Sequence, residues 1–220
     1  MFLGHFGAGF AGKKIAPGAG LGILFLAAIL LDLLWSLLLI TGTEHVRIVP
    51  GITTVTPMDF YDYPLSHGLI MVIIIAAFFG MIYGLIKRNL RMAIVSGILV
   101  FSHWLLDLTV HRPDLPLIKG STTVFGLGLW NYFIIGVLFE LILFIIGLFM
   151  YIRVTRAIDK IGSYGLWILV TILSGIWLGS IFGSPPPDDP IKIGLVGLSQ
   201  ILFVIIAGWI DRHRKTVPIH

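Results

Sequence analysis

The chain has no cysteine. That absence removes disulfides, thiolate metal ligands and thiol nucleophiles together. Any metal must then be held by histidine and carboxylate, and any nucleophile must be water or a hydroxyl. Charge is also scarce. Asp, Glu, Lys and Arg make up 12% of 220 residues, about half the share in an ordinary soluble domain. Apolar residues make up 57% and mean hydropathy is +1.01, more apolar surface than a compact sphere of this size hides from water. A soluble enzyme, a disordered chain and a nucleic-acid-binding module are therefore excluded. The 15 Lys and Arg against 11 Asp and Glu leave a net charge of only +4, which membrane topology explains better than a nucleic-acid partner does. HExxH, the P-loop and GxSxG are missing as well. No internal repeat is evident, so the inverted-repeat plan of many transporters has no support.

Long apolar runs are what the sequence does hold. Six stretches, near 20–42, 67–86, 92–110, 130–152, 164–182 and 191–210, reach the roughly 20 helical residues that cross a hydrocarbon core. The expected fold is all-α. It is a polytopic integral membrane protein of six transmembrane helices plus an N-terminal half-helix, forming one domain over residues 1–220. Gly80, Gly84 and Gly147 lie inside these stretches, where small residues let helices pack closely in lipid. Basic residues sort between the two sides. Lys13, Lys14, Lys87, Arg88, Arg91, Arg153, Arg156, Lys160, Arg212, Arg214 and Lys215 fall on one side, and Arg47, Arg112, Lys119 and Lys192 on the other. The positive-inside rule then places both termini in the cytoplasm of a multi-pass inner (plasma) membrane protein.

Residues 1–19 do not fit a signal peptide, because the apolar part precedes Lys13-Lys14 instead of following it. They are too short to span and too apolar for water, which predicts a half-helix packed into the bundle from the cytoplasmic side or lying at the interface. Residues 43–66 form an outer cap loop rich in Thr, Pro, Asp and Tyr, 111–128 form a second outer loop, and Gly183–Pro190 form a stiff turn.

An ionisable side chain near the bilayer centre costs at least about 2.5–3.5 kcal/mol. Those in such places are His5, Asp32, His67, His103, Asp107, His111 and Glu140. His103, Asp107 and His111 stand at i, i+4 and i+8, stacked on one helix face. That ladder suits a hard or borderline cation such as Zn²⁺ or Mn²⁺. The alternative is a structural His–Asp hydrogen bond with His111 at the water interface. At about 1.5 Å per residue, Asp32 and His103 both lie roughly 18 Å from the cytoplasmic end, with Glu140 near that level and Asp107 one turn higher. Asp32 is otherwise paired or protonated. His67 has a capping alternative, and Glu140 that of a helix–helix hydrogen bond. His45, His213 and His220 need no special role.

Ser66 and Ser102 each precede a histidine. Adjacent helical residues point about 100° apart, so the expectation is that both hydroxyls bond back to the preceding turn's carbonyl. A serine nucleophile then has little support. Arg112, next to His111, is a candidate clamp for a substrate phosphate or carboxylate, the alternative being a loop arginine bonded to Asp114.

At these residues the chain resembles the bacterial family of membrane-bound metal-dependent hydrolases, the LexA-regulated inner-membrane type. The shared features are Gly4-His5-Phe6-Gly7-Ala8-Gly9-Phe10, Asp32, Ser66-His67 and Ser102-His103-Trp104-Leu105-Leu106-Asp107. They span about the first half, Met1 to Asp114. The family's Leu-Pro-Asp with a second Asp two residues on is replaced by Leu31-Asp32-Leu33-Leu34, which makes a two-metal site harder to build. The resemblance implies metal-dependent hydrolysis, and the depth of the site in the membrane suggests a lipid or lipid-linked substrate. A divalent metal, zinc or alternatively manganese, would be held by a subset of His5, Asp32, His67, His103, Asp107 and His111, with Asp32 or Asp107 as general base. The competing expectations are a cation or proton transporter using the same residues and a non-catalytic membrane component.

Overall fold

A computed structural model describes residues 1–217; His220 lies outside the described residues. Six helical stretches are long and apolar enough to cross a membrane, and the protein is a multi-pass membrane protein in a bilayer. The N-terminal helix α1 (Leu3–Ile15) buries Leu3, His5, Phe6 and Phe10 inside the bundle. It is the half-helix that the sequence implies.

The first span, α2 (Leu21–Ile40), leads to a hairpin of strands β1 (His45–Ile48) and β2 (Met58–Asp62). The next two spans, α3 (Leu69–Lys87) and α4 (Leu90–Val110), form a tight helical hairpin. Arg88 turns the chain with φ +49°, and the Asn89 side chain accepts the Met92 N–H at 3.0 Å to cap α4. A small ladder of β3 (Leu115–Pro116) and β4 (Val124–Phe125) precedes the fourth span, α5 (Phe133–Val154). Strand β5 (Thr155–Ala157) follows directly.

The fifth span runs Ile161–Phe182, one wide turn and then α6 (Leu166–Phe182). The sixth, Pro190–Arg212, is broken near its middle into α7 (Pro190–Leu198) and α8 (Ile201–Arg212). Pro190 sits at the first position of α7 behind an Asp189 cap, so the proline-rich turn stops one helix and starts the next. Strand β6 (Arg214–Thr216) pairs antiparallel with β5 and ties the C-terminal segment to the foot of α5.

The expected spans match these helices within a few residues. The two loops expected on the outside are ordered and carry the β1–β2 and β3–β4 ladders at one end of the bundle, the cap end.

Burial is uneven. In α2, 56% of the spanning window is buried and in α4 44%, against 22% in each of the other four spans. So α2 and α4 are the central helices, and a polar group on either must find partners inside the protein. The surrounding helices turn apolar faces outward, as Ile74, Phe78, Met81 and Leu85 do along α3, which suits contact with acyl chains.

Close approach depends on glycine. A Cβ on Gly7 would lie 2.7 Å from the Leu143 carbonyl oxygen, and one on Gly147 would lie 2.0 Å from the Gly7 oxygen. Helices α1 and α5 therefore meet backbone to backbone. At the foot of the bundle the Lys13 ammonium bonds the Asp211 carboxylate at 2.7 Å, with both side chains buried. Asp211 also accepts the Tyr151 hydroxyl at 2.8 Å and the Leu21 N–H at 3.0 Å. That single carboxylate joins α1, α2, α5 and α8.

Candidate metal centre

His103 is on the inward face of α4 and wholly buried. Its Nδ1 lies 2.8 Å from the Ala28 carbonyl oxygen on α2. A carbonyl only accepts, so Nδ1 carries the proton. In a neutral ring, Nε2 is then a bare lone pair. It points at a carboxylate, 3.1 Å from Asp107 Oδ2, where two acceptors repel. A positive charge must be shared at that nitrogen, supplied by a second proton or by a metal ion.

The neighbours of Nε2 frame the same point. His67 Nε2 is 3.3 Å away and Asp32 Oδ1 3.5 Å away. His67 Nε2 lies 3.6 Å from Asp107 Oδ2 and 3.9 Å from Asp32 Oδ1. With metal–ligand bonds of about 2.0–2.1 Å, a tetrahedral zinc site separates its ligand atoms by about 3.3–3.4 Å. The triangle His67, His103 and Asp107, with edges of 3.3, 3.1 and 3.6 Å, has that size. Asp32 stands just outside it. The triads His5–His103–Asp107 and Asp32–His67–His103 each keep their donor atoms within 4.8 Å. The residues present thus fit a divalent ion both by donor type and by spacing.

The i, i+4 spacing of His103 and Asp107 does what the sequence implies and puts both on one face. His111 is not brought to the cluster. Helix α4 ends at Val110, and His111 is extended with ψ +145°. Its Nδ1 meets Asp114 at 2.9 Å and the Tyr63 hydroxyl at 3.3 Å, and its ring packs on Trp130. Arg112 bonds Asp59 and also Asp114, the latter at 3.2 Å. Asp59 in turn accepts Arg47 at 2.6 Å.

His5 joins from α1. Its ring stacks on His103 with centroids 3.6 Å apart, and its Nε2 is 3.1 Å from Asp107 Oδ1. The same oxygen accepts the Met1 amino group at 2.7 Å. Asp107 therefore gives one oxygen to α1 and turns the other toward His67 and His103. Glu140, on α5, accepts the Phe2 and Leu3 N–H groups, both at 3.0 Å, and so caps the open N-terminus of α1. It supports the site by holding the helix that carries His5.

Two groups near the site, Tyr63 and Glu44, have no counterpart in the expectations from sequence, and a third, Ser66, behaves differently from its expectation. Tyr63 packs its ring 5.2 Å from that of His67, and its hydroxyl donates to Asp114 at 2.8 Å. Burial, with the Asp114 carboxylate beside it, pushes the phenol well above its usual range, so it stays a donor. Ser66 departs from expectation. Its hydroxyl is 2.8 Å from His67 Nδ1 and not on a carbonyl of the preceding turn. The geometry of adjacent helical residues does not apply, because α3 begins only at Leu69. Ser102, inside α4, does bond back, to Leu99 at 2.8 Å. Glu44, also buried, accepts the Ser66 hydroxyl at 2.6 Å. Burial pushes its carboxyl up, while Ser66 and the Leu65 amide pull it back.

Asp32 alone in the set keeps an accessible side chain, 21% against 0–5% for His5, His67, His103 and Asp107. Ala28 and Ser36, one turn to either side on α2, are 1% and 0% exposed. Asp32 therefore sits on the inward face of α2 with part of its side chain still accessible. No family model, curated protein or solved structure matches the chain.

Proposed function

We propose that the protein is an intramembrane metal-dependent hydrolase, with zinc the best fit and manganese the alternative, acting on a lipid or lipid-linked ester, amide or phosphoester. One observation carries the reading. The Nε2 atoms of His67 and His103 and one oxygen of Asp107 form a buried triangle of zinc-ligand size, and the His103 nitrogen in it needs either a metal ion or a second proton. Three protein donors with an open fourth position are the usual plan of a catalytic zinc site.

In this reading His67, His103 and Asp107 hold the ion, with His5 and Glu140 fixing Asp107 and α1. A divalent ion there supplies Lewis acidity and makes water a nucleophile at neutral pH. Asp32 is the general base. It lies 3.5 Å from His103 Nε2 and 3.9 Å from His67 Nε2 and keeps the most accessible side chain of the set. Asp32 takes one proton from the attacking water and returns it to the leaving alcohol or amine, so the water's hydroxyl ends on the acyl or phosphoryl centre. The aromatic rings of Tyr63, Phe60 and Trp130 over His67 and His111 exclude bulk water. Arg112, held by Asp59 and Asp114, fastens the cap and reaches a substrate headgroup only by leaving Asp59. The family resemblance and the distribution of basic residues support a bacterial inner-membrane location with both termini cytoplasmic.

A second reading, a non-catalytic membrane component, has one observation in its favour: Asp107 already has the Met1 amino group as counter-ion at 2.7 Å. A proton on His103 Nε2 then completes the network without metal. The experiment that separates the readings is metal analysis of detergent-purified protein, followed by turnover of lipid esters and phosphoesters by the metal-loaded form. Flux into proteoliposomes without turnover would favour a transporter instead.

A further inference from the structure

The cap end holds a buried carboxylate that bonds the turn carrying His67. Glu44 lies between α2 and β1, is 1% exposed, and touches no metal-ligand candidate. Its Oε1 accepts the N–H groups of Leu65 and Ser66 at 2.6 and 2.9 Å, and its Oε2 accepts the Ser66 hydroxyl at 2.6 Å. Three donors converge on one carboxylate, an arrangement that suits the ionised acceptor.

The direction of each bond follows from there. Ser66 has one proton, and it goes to Glu44. Its oxygen can therefore only accept from His67 Nδ1, 2.8 Å away. Nδ1 then carries the hydrogen and Nε2 is left as a lone pair. That nitrogen is the one 3.3 Å from His103 Nε2 and 3.6 Å from Asp107 Oδ2. The Trp104 indole N–H holds the His67 carbonyl at 2.9 Å, so the ring's orientation is fixed from the backbone side as well.

We propose that Glu44 is a positioning residue which, through Ser66, locks His67 in the Nδ1–H tautomer and so keeps its Nε2 lone pair turned into the centre. The proposal deepens the metal-centre reading and rests on it. The role is that of the carboxylate behind a metal-bound histidine, with a serine hydroxyl inserted between the two. It also couples the cap to the centre, since anything that withdraws Glu44 frees the His67 ring to change tautomer.

The reversal of a single bond makes this testable. In Glu44→Gln the amide oxygen keeps the Leu65 and Ser66 N–H groups and the amide NH₂ faces Ser66 Oγ. The hydroxyl proton then has no carboxylate to meet and His67 Nδ1 is the acceptor beside it, which shifts the ring toward the Nε2–H tautomer. The measurement is ¹⁵N NMR of the metal-free, ¹⁵N-histidine-labelled protein in detergent, with His67 assigned by its disappearance in His67→Gln. The expected result is a protonated Nδ1 in the wild type and a protonated Nε2 in Glu44→Gln, with zinc affinity in chelator competition reduced about 10–100-fold. Ser66→Ala is expected to show a mixture of the two tautomers, which keeps the test open if Glu44→Gln does not fold. An Nε2–H ring in the wild type, or the wild-type tautomer unchanged in whichever variant folds, would overturn the proposal. The tautomer is read without metal, so a wild type that shows the Nδ1–H form but binds no zinc refutes the metal centre and leaves the relay standing.

Discussion

His67 and His103 bring their Nε2 atoms to 3.3 Å of each other across 36 residues of sequence, one from the turn before α3 and one from the middle of α4. With its Nδ1 hydrogen spent on the Ala28 carbonyl, a neutral His103 has only a lone pair at Nε2 and needs a hydrogen or an ion from a neighbour there.

Removing a member of the triangle removes the cation's place. His103→Ala and Asp107→Ala are each expected to purify without stoichiometric metal. Inductively coupled plasma analysis of the detergent-purified proteins checks this, and full occupancy in both variants would refute the ligand assignment.

Asp32 is expected to behave differently. In Asp32→Asn the triangle is intact, so metal content stays at the wild-type level while hydrolysis of a lipid ester falls by about 10²–10⁴-fold, the usual range for loss of a general base. If metal is lost together with activity, Asp32 is a ligand instead.

Helix α1 is held by Glu140 and by the glycine crossing at Gly7 and Gly147. Glu140→Ala leaves the buried Leu3 N–H and the part-buried Phe2 N–H without an acceptor, at about 1–3 kcal/mol for the buried one and less for the other. Thermal unfolding in detergent should show a clear drop in Tm, and proteolysis within residues 1–15 should rise. An unchanged Tm with α1 still protected would mean that the cap contributes nothing.

At the foot of the bundle, Asp211→Ala strands the buried Lys13 ammonium and is expected to destabilise by about 3–5 kcal/mol. The double variant Lys13→Met, Asp211→Leu should recover much of that loss, because two apolar side chains need no partner. Equal instability of the single and double variants would show that Asp211 acts mainly through Tyr151 and the Leu21 amide.

The parts legible in the sequence are those where a residue is costly in its place. Bilayer thickness demands about 20 apolar residues per helix, so the six spans stand out, and Asp32, His103 and Asp107 stand out because lipid punishes them. The i, i+4 step then gives the shared face of His103 and Asp107. The same step misleads at His111, because periodicity extends a helix that stops at Val110. Glu44 carries no such signal, since an acid in a polar loop is unremarkable until the loop folds inward. Ser66 misleads for a related reason: its relation to His67 depends on where α3 starts, and helix ends are the least legible feature of an apolar run. The Met1 amino group and the stacking of His5 on His103 depend on how deep α1 docks, which is set by α5 rather than by α1 itself.

The most direct test of the central claim is the metal content of the wild-type protein beside His103→Ala, purified from the same metal-supplemented culture. The account predicts roughly one zinc or manganese per wild-type chain and none in the variant. A metal-free wild type whose His103 is doubly protonated, bonding Ala28 on one side and Asp107 on the other, would contradict it.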